Sequence, residues 1–215
     1  MKEKDTKWQG SNGKVDKKMV SNKTIGPISN LEHHLQPDWW KRIFNSMYLK
    51  TDADVVEDNQ ITKTEVDLFQ EILNIKEGET LLDLACGQGR HLIELQSRQN
   101  YNLYGLDRSR YLIQRAKNIS KKKGLSINLK EGDARKLPYP ADTFDFVTNL
   151  GNSFGYFETV DDDTKILNEI FRVLKPGGLL LMEIADGDFL RNNYTPRSWE
   201  WIDQKHFVCR ERTMA

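Results

Sequence analysis

Residues 80–91, TLLDLACGQGRH, decide the fold of this chain. Residues 80–85 are almost wholly apolar and predict a short β-strand, after which Gly87 and Gly89 lie in a loop before a predicted helix. Glycine lets the backbone turn tightly and lets a ligand approach it closely. The free N–H groups at the start of the helix suit a carboxylate. On its own, such a loop is also typical of an ordinary strand-to-helix turn.

Strands and helices alternate along the rest of the chain. Strands are predicted at residues 80–85, 101–106, 127–131, 144–150 and 179–184, and helices at residues 91–98, 109–123 and 161–174. This alternation indicates βαβ units, and therefore an α/β fold with a Rossmann-like, doubly wound, mostly parallel sheet. The near-continuous apolar run at residues 179–182 fits a strand buried on both faces.

Two helical patterns precede this region. Residues 37–49 carry aromatic residues at helical spacing, and residues 61–73 repeat the pattern with Thr62 or Thr64 as a candidate N-cap. Residues 31–78 are therefore interpreted as an N-terminal helical cap. Residues 1–30 are polar and rich in lysine, and they are predicted to be a disordered tail.

Charge and composition exclude several classes of function. The chain has 32 basic and 32 acidic residues, so its formal net charge is zero. Residues 1–30 hold seven lysines and three acidic residues, so the body of the chain after this tail carries a net charge of −4. Nucleic-acid partners are not expected of such a body. No apolar run approaches the roughly 20 residues that span a bilayer, so no membrane association is expected. Two cysteines and no secretory signal favour a cytoplasmic protein.

Carboxylates stand at the predicted strand ends, where open α/β sheets bind ligands. Asp107 ends the second strand about 20 residues beyond the glycine loop, the spacing that ribose recognition requires. Asp133 follows Gly132 after the third strand and could accept a hydrogen bond from an adenine amino group. The alternatives are a helix cap or surface charge for Asp107 and an ordinary turn residue for Asp133. Residues 149–157 could line a pocket or simply pack as a loop.

Four strings resemble motifs of the class I S-adenosylmethionine-dependent methyltransferase family: LLDLACGQGR, GLDRS, EGDARKLPYPADTFDFV and LNEIFRVLKPGGLLLMEI. They cover about half of the chain, with Ala85 where many members have glycine. The resemblance makes residues 79–190 the expected S-adenosylmethionine-binding domain. A looser similarity to small-molecule methyltransferases, including glycine and sarcosine N-methyltransferase types, implies a small-molecule acceptor with a nitrogen or oxygen nucleophile.

The resemblance also implies roles for particular residues. By this resemblance, Asp83, Gly87 and Gly89 would contact the methionine part of the cofactor, and Asp107 would hold its ribose. Asp133 and Ala134 would contact the adenine, and Leu150 would lie at the rim of the site. Arg90 could help to bind the cofactor carboxylate, and His91 and Tyr156 are candidate bases. Tyr48 and neighbouring aromatic residues could either form a lid or pack on the core. No catalytic residue and no metal site is assigned.

The chain departs from the family in one respect. The family's sheet usually has seven strands, whereas the predicted order runs out after five, so the last two core strands are expected to be lacking. Residues 191–215 are interpreted as the start of an inserted antiparallel sheet or as a truncated C-terminal part. A fragment, a truncated product and a homo-oligomer that covers the sheet edge all remain open.

Two other functions share these features. An NAD-dependent oxidoreductase would have the glycine loop and the ribose carboxylate, but its third glycine would fall where this chain has Leu92. A truncated, non-catalytic cofactor-binding protein would keep every binding residue.

Overall fold

A computed structural model describes residues 39–157 and 159–212. Its centre is a parallel five-stranded sheet of order β3-β2-β1-β4-β5. The strands are β1 (Thr80–Leu84), β2 (Asn102–Asp107), β3 (Asn128–Glu131), β4 (Phe144–Asn149) and β5 (Leu174–Met182). The order reverses at β1 and β4, which makes their carboxyl ends the switch point where such sheets bind ligands. The predicted Rossmann-like fold is confirmed.

Helices cover both faces of the sheet. The helices are α1 (Trp40–Ile43), α2 (Tyr48–Thr51), α3 (Ala53–Val56), α4 (Asn59–Leu73), α5 (Arg90–Arg98), α6 (Arg110–Lys122), α7 (Val160–Val173) and α8 (Gly187–Asn192). Apolar residues of α4, α5 and α6 pack with Leu81 and Leu103 in one core cluster. Residues of α7 pack with Leu82 and Val147 in a second cluster. This two-sided burial is the doubly wound arrangement that the alternation predicts. No helix in the described part of the chain is long and apolar enough to cross a membrane.

The region before the sheet differs from the prediction. The helix predicted over residues 37–49 is broken into α1 and α2 where it is described. The N-cap of α4 is Asp58, whose Oδ1 accepts from the backbone N–H of Gln60 and Ile61 at 2.6 and 2.9 Å. Thr62 and Thr64 were the wrong candidates, because both lie inside the helix. The predicted tail at residues 1–30 lies outside the described residues.

The C-terminal strands also differ in part. Strand β5 begins at Leu174 and runs through the Pro-Gly-Gly turn, five residues earlier than expected, with a register irregularity opposite β4. It ends the sheet, and Leu179 and Leu180 are 50% and 38% exposed, so burial on both faces was wrong for them. Beyond it, β6 (Arg197–Trp201) and β7 (Phe207–Glu211) form an antiparallel hairpin.

Candidate functional site

Two adjoining cavities open at the carboxyl ends of β1, β2 and β4. The first measures about 830 Å³ with its open mouth and is lined by Asp107, Asp133 and Ala134, among others. The second measures about 770 Å³ and is lined by Asp83 and Leu150, among others. They share four lining residues: Tyr48, Ala85, Gly87 and Ser153. Six of the seven predicted site residues therefore lie around one continuous space.

The seventh, Gly89, has a different position. It is the N-cap of α5, with φ of 72°, and a Cβ placed on it would lie 3.2 Å from the Cβ of Ala116. Gly89 therefore allows α5 to pack closely against α6, and it is absent from the residues that line either cavity. Ala85 has φ of 62°, a left-handed conformation that costs an L-residue about 1–2 kcal/mol.

Asp107 holds the glycine loop in place. Its Oδ2 accepts from the backbone N–H of Gly87 at 2.8 Å, and its Oδ1 accepts from that of Ser109 at 2.7 Å. The side chain is buried, which raises the pKa of its carboxyl to about 6. Each carboxylate oxygen has a second lone pair, so two further hydrogen bonds from a ligand can be accepted.

Asp83 presents an unsatisfied oxygen at the second cavity. Thr148 Oγ1 donates to Asp83 Oδ1 at 2.9 Å, while the buried Oδ2 has no partner among the described residues. Burial raises the pKa of this carboxyl. A buried acceptor without a donor is costly, and a bound ammonium group would supply the missing hydrogen bond. This observation fits the amino group of a methionine-like ligand.

Asp133 is held by a neighbouring arginine. Arg135 donates from Nη2 to Asp133 Oδ2 at 2.7 Å and from Nε to Oδ1 at 3.0 Å. These hydrogen bonds lower the pKa of the Asp133 carboxyl. Ala134 follows in the same loop and also lines the first cavity. Arg135 was not among the residues predicted from the sequence to belong to the site.

Comparison with known proteins identifies this arrangement. Residues 81–178 match the family model described as a methyltransferase domain. Residues 81–178 are therefore a methyltransferase domain, and the fold around them is that of S-adenosylmethionine-dependent methyltransferases. The methyl donor of that family is S-adenosylmethionine, and the orphaned Asp83 oxygen and the deep Asp107 carboxylate fit its amino group and ribose.

Relatives and solved structures agree with this assignment. The sterol 24-C-methyltransferase of Pneumocystis carinii is 40% identical over 107 residues, which are 49% of this chain and 27% of that protein. The demethylmenaquinone methyltransferase of Oceanobacillus iheyensis is 40% identical over 111 residues, 49% of this chain and 44% of that protein. The chain thus matches less than half the length of either relative.

Two solved structures share the fold. A protein of Pyrococcus horikoshii has a TM-score of 0.59 and 27% identity, with 69% of this chain and 70% of that one covered. An S-adenosylmethionine-dependent methyltransferase of Clostridium acetobutylicum has a TM-score of 0.62 and 23% identity, with 79% and 67% covered.

A charged network that joins α4 to the start of α5 stands beside the second cavity. His91 Nε2 lies 3.0 Å from Glu65 Oε2, and Arg90 Nη1 contacts the same oxygen. Burial alone would raise the pKa of Glu65, but hydrogen bonds from His91 and Arg90 outweigh it and lower the pKa to about 2. Glu65 therefore anchors both residues from α4. This contact favours the helix-start role for His91 over the role of a base.

Aromatic side chains form one wall of the first cavity. Phe44 packs against Tyr48 and Tyr156, with ring centroids 5.1 and 5.7 Å apart. Burial, followed by the charge of Asp52, raises the pKa of Tyr48 to about 12 and raises that of Tyr156. Both phenols are therefore protonated near neutral pH, which makes them hydrogen-bond donors and argues against Tyr156 as a base.

Asn149 begins the segment of residues 149–157 that was predicted either to line a pocket or to pack as a loop. Its Nδ2 donates to the carbonyl of Leu84 at 2.9 Å, and its Oδ1 is buried without a partner among the described residues. Because a carbonyl can only accept, this bond fixes the amide orientation. Asn149 also lines the first cavity. Its position at the end of β4, where open sheets bind ligands, agrees with the prediction of a pocket lining.

Proposed function

We propose that this chain is an S-adenosylmethionine-dependent methyltransferase that transfers a methyl group in line to a small-molecule acceptor. The observation that carries the proposal is the joined pair of cavities. Asp107 stands in one and the unsatisfied Asp83 oxygen in the other, on either side of Gly87. A ligand with a ribose at one end and an ammonium group at the other satisfies both.

The chain's residues would hold the cofactor along this path. Asp107 would accept from the ribose hydroxyls, Asp83 from the amino group, and Asp133 with Ala134 would contact the adenine. Leu150 would lie at the rim and Gly87 beneath the ligand. The N-terminus of α5 and Arg90, which lines the second cavity, would favour the carboxylate. Residues 79–190 are the proposed binding domain and residues 31–78 its cap.

Catalysis would consist mainly of alignment. Bound S-adenosylmethionine supplies a methyl group that its sulfonium already activates. Tyr48 and Ser153 stand where the two cavities meet. The Tyr48 phenol can donate a hydrogen bond that orients an acceptor, and the Ser153 hydroxyl, which donates to the carbonyl of Leu150 at 2.7 Å, can accept one. The aromatic wall excludes water. A base is needed only for an acceptor that arrives protonated, and we assign none.

The proposed acceptor is a small molecule with a nitrogen or oxygen nucleophile. A carbon acceptor is the second candidate, because one relative is named a sterol 24-C-methyltransferase. Cys86 and Cys209 are both free, which agrees with a cytoplasmic location. An NAD-dependent dehydrogenase is disfavoured, since Leu92 occupies the third glycine position and is fully buried in the core.

Methyl transfer can be tested with S-adenosylmethionine that is labelled in its methyl group. The full chain is incubated with pooled small amines, hydroxylated compounds, quinols and sterols, and the label is followed by chromatography. We expect enzyme-dependent transfer into one pool, and much slower transfer with Asp107→Asn when S-adenosylmethionine is below saturation. Tight binding of S-adenosylhomocysteine with no transfer to any pool would favour the non-catalytic alternative.

A further inference from the structure

Three cavity loops each carry a side chain that reaches the same preceding segment. This segment, residues 39–57, contains α1, α2 and α3 and is called the aromatic strap here. The three side chains belong to Gln88, Ser109 and Arg135, and each follows a predicted cofactor contact by one or two residues. These side chains link the contact loops after β1, β2 and β3 to the strap.

Two of the links are hydrogen bonds to the backbone of the strap. Gln88 Nε2 donates to the carbonyl of Val56 at 2.6 Å, and Ser109 Oγ donates to the carbonyl of Phe44 at 2.6 Å. Gln88 is buried between the two loop glycines, so its amide has little freedom to move elsewhere. These bonds hold the strap beside the cavities at Phe44 and, near its C-terminal end, at Val56.

Arg135 makes the third link, through ring faces. Its guanidinium lies 4.4 Å from the ring centroid of Phe157 and 5.7 Å from that of Trp40. The two rings meet at 5.0 Å in an edge-on contact. The same guanidinium holds both oxygens of Asp133, and all three of these neighbours line the first cavity.

We propose that Arg135 is a positioning residue that couples occupancy of the adenine end of the site to closure of the aromatic strap. The inference rests on the proposed function. A planar guanidinium can pair with a carboxylate in its plane while its faces stack on aromatic rings. A ligand that fixes Asp133 therefore fixes the guanidinium, which in turn holds Trp40 and Phe157 over the ligand. The strap then slows release of the cofactor.

Variants of the full chain test this coupling with S-adenosylhomocysteine as the probe. We expect Arg135→Gln to release the probe about ten-fold faster, between the scales of an exposed and a desolvated cation–π contact, because the Arg135 side chain is 28% exposed. It should also lose the ligand-dependent protection of residues 39–57 from hydrogen exchange. Arg135→Lys keeps the charge without the planar stack, so its release rate should fall between those of the wild type and Arg135→Gln.

The control variant is Arg110→Gln. It breaks another ion pair at a strand end, the one between Arg110 and Glu131, and the Arg110 side chain is 85% exposed. Its release rate should stay within about two-fold of wild type.

A substitution on the strap tests the same link from the other side. Trp40→Leu removes the ring and leaves the pair of Arg135 with Asp133 in place, so it should also speed release. The double variant should release the probe no faster than the faster single variant, because both changes break one link. Wild-type release and protection in both single variants would overturn the inference. Absence of probe binding to the wild-type chain would instead overturn the proposed function.

Discussion

Strands β1 and β5 are both leucine-rich and both pair in parallel with β4, yet they differ in burial. Leu81 and Leu82 of β1 are at most 1% exposed, whereas Leu179 and Leu180 of β5 are 50% and 38% exposed. Strand β1 has β2 as a second neighbour, and β5 ends the sheet. Apolar composition therefore identifies a strand, while its neighbours decide how much of it is buried.

The largest expected effect is on stability, and it should differ between a leucine variant in β1 and one in β5. Leu82 and Leu180 both stand in register with Val147, one on each side of it. Leu82→Ala should lower the free energy of unfolding by about 2–5 kcal/mol, as for a core leucine. Leu180→Ala should lower it by at most about 1 kcal/mol, since much of its surface is already exposed. Urea unfolding of the two variants measures both values.

Equal losses would contradict this account of β5. They would mean that another segment or a second copy of the chain covers the edge in solution, as the predicted homo-oligomer would. Unfolding at several protein concentrations separates these cases, because only an interface between copies makes the loss depend on concentration.

The next effect concerns the carboxyl ends of β2 and β3. Asp107 and Glu131 are register partners, but only Asp107 lines a cavity. Asp107→Asn should cost about 1.5–3 kcal/mol of affinity for S-adenosylhomocysteine, the range for hydrogen bonds to charged groups. Glu131→Gln should leave that affinity unchanged. Calorimetry measures both, and equal affinities in the two variants would reduce Asp107 to a structural residue.

Asp107 also predicts a pH dependence. Its pKa of about 6 means that binding to the ionised form should weaken by up to about ten-fold per unit below pH 6. In the free protein, the folded state holds this proton more tightly than the unfolded state does. The contribution of this bound proton to the free energy of unfolding should therefore fall as the pH rises from about 4 to about 6. Asp83 also has a raised pKa, so the slope that Asp107→Asn removes is the part that belongs to Asp107.

Replacing Asp107 should also destabilise the folded protein. A residue at a strand end is often exposed, but this one is buried and accepts from Gly87 and Ser109. Asp107→Ala should leave both N–H groups without their acceptor and cost about 1–3 kcal/mol of stability.

Local features of the sequence were sufficient for most of the fold. Strand β1 and helix α5 lie within one residue of their predicted bounds, because hydrophobic periodicity and the glycine loop are local signals. The positions of Glu65 and Arg135 could not be predicted in this way. Glu65 meets His91 across 26 residues, and Arg135 meets Trp40 only after β3 and the strap have packed together. Such contacts depend on the tertiary structure.

The smallest expected effect concerns backbone strain at one residue that follows β1 and at one residue within β5. Ala85, in the loop after β1, has φ of 62°, and Gly177, within β5, has φ of 82°. Ala85→Gly should raise the free energy of unfolding by up to about 1 kcal/mol, because it relieves a left-handed alanine. Gly177→Ala should lower it by about 1 kcal/mol for the same reason. Thermal melting should move in opposite directions for the two variants, and a destabilised Ala85→Gly would show that the methyl group of Ala85 is needed for packing.

The most direct test of the central claim is calorimetric titration of the full chain with S-adenosylhomocysteine and, separately, with NAD. We expect saturable binding of S-adenosylhomocysteine at one site, weakened in Asp107→Asn, and no measurable heat with NAD. Saturable NAD binding with no response to S-adenosylhomocysteine would contradict the proposed function.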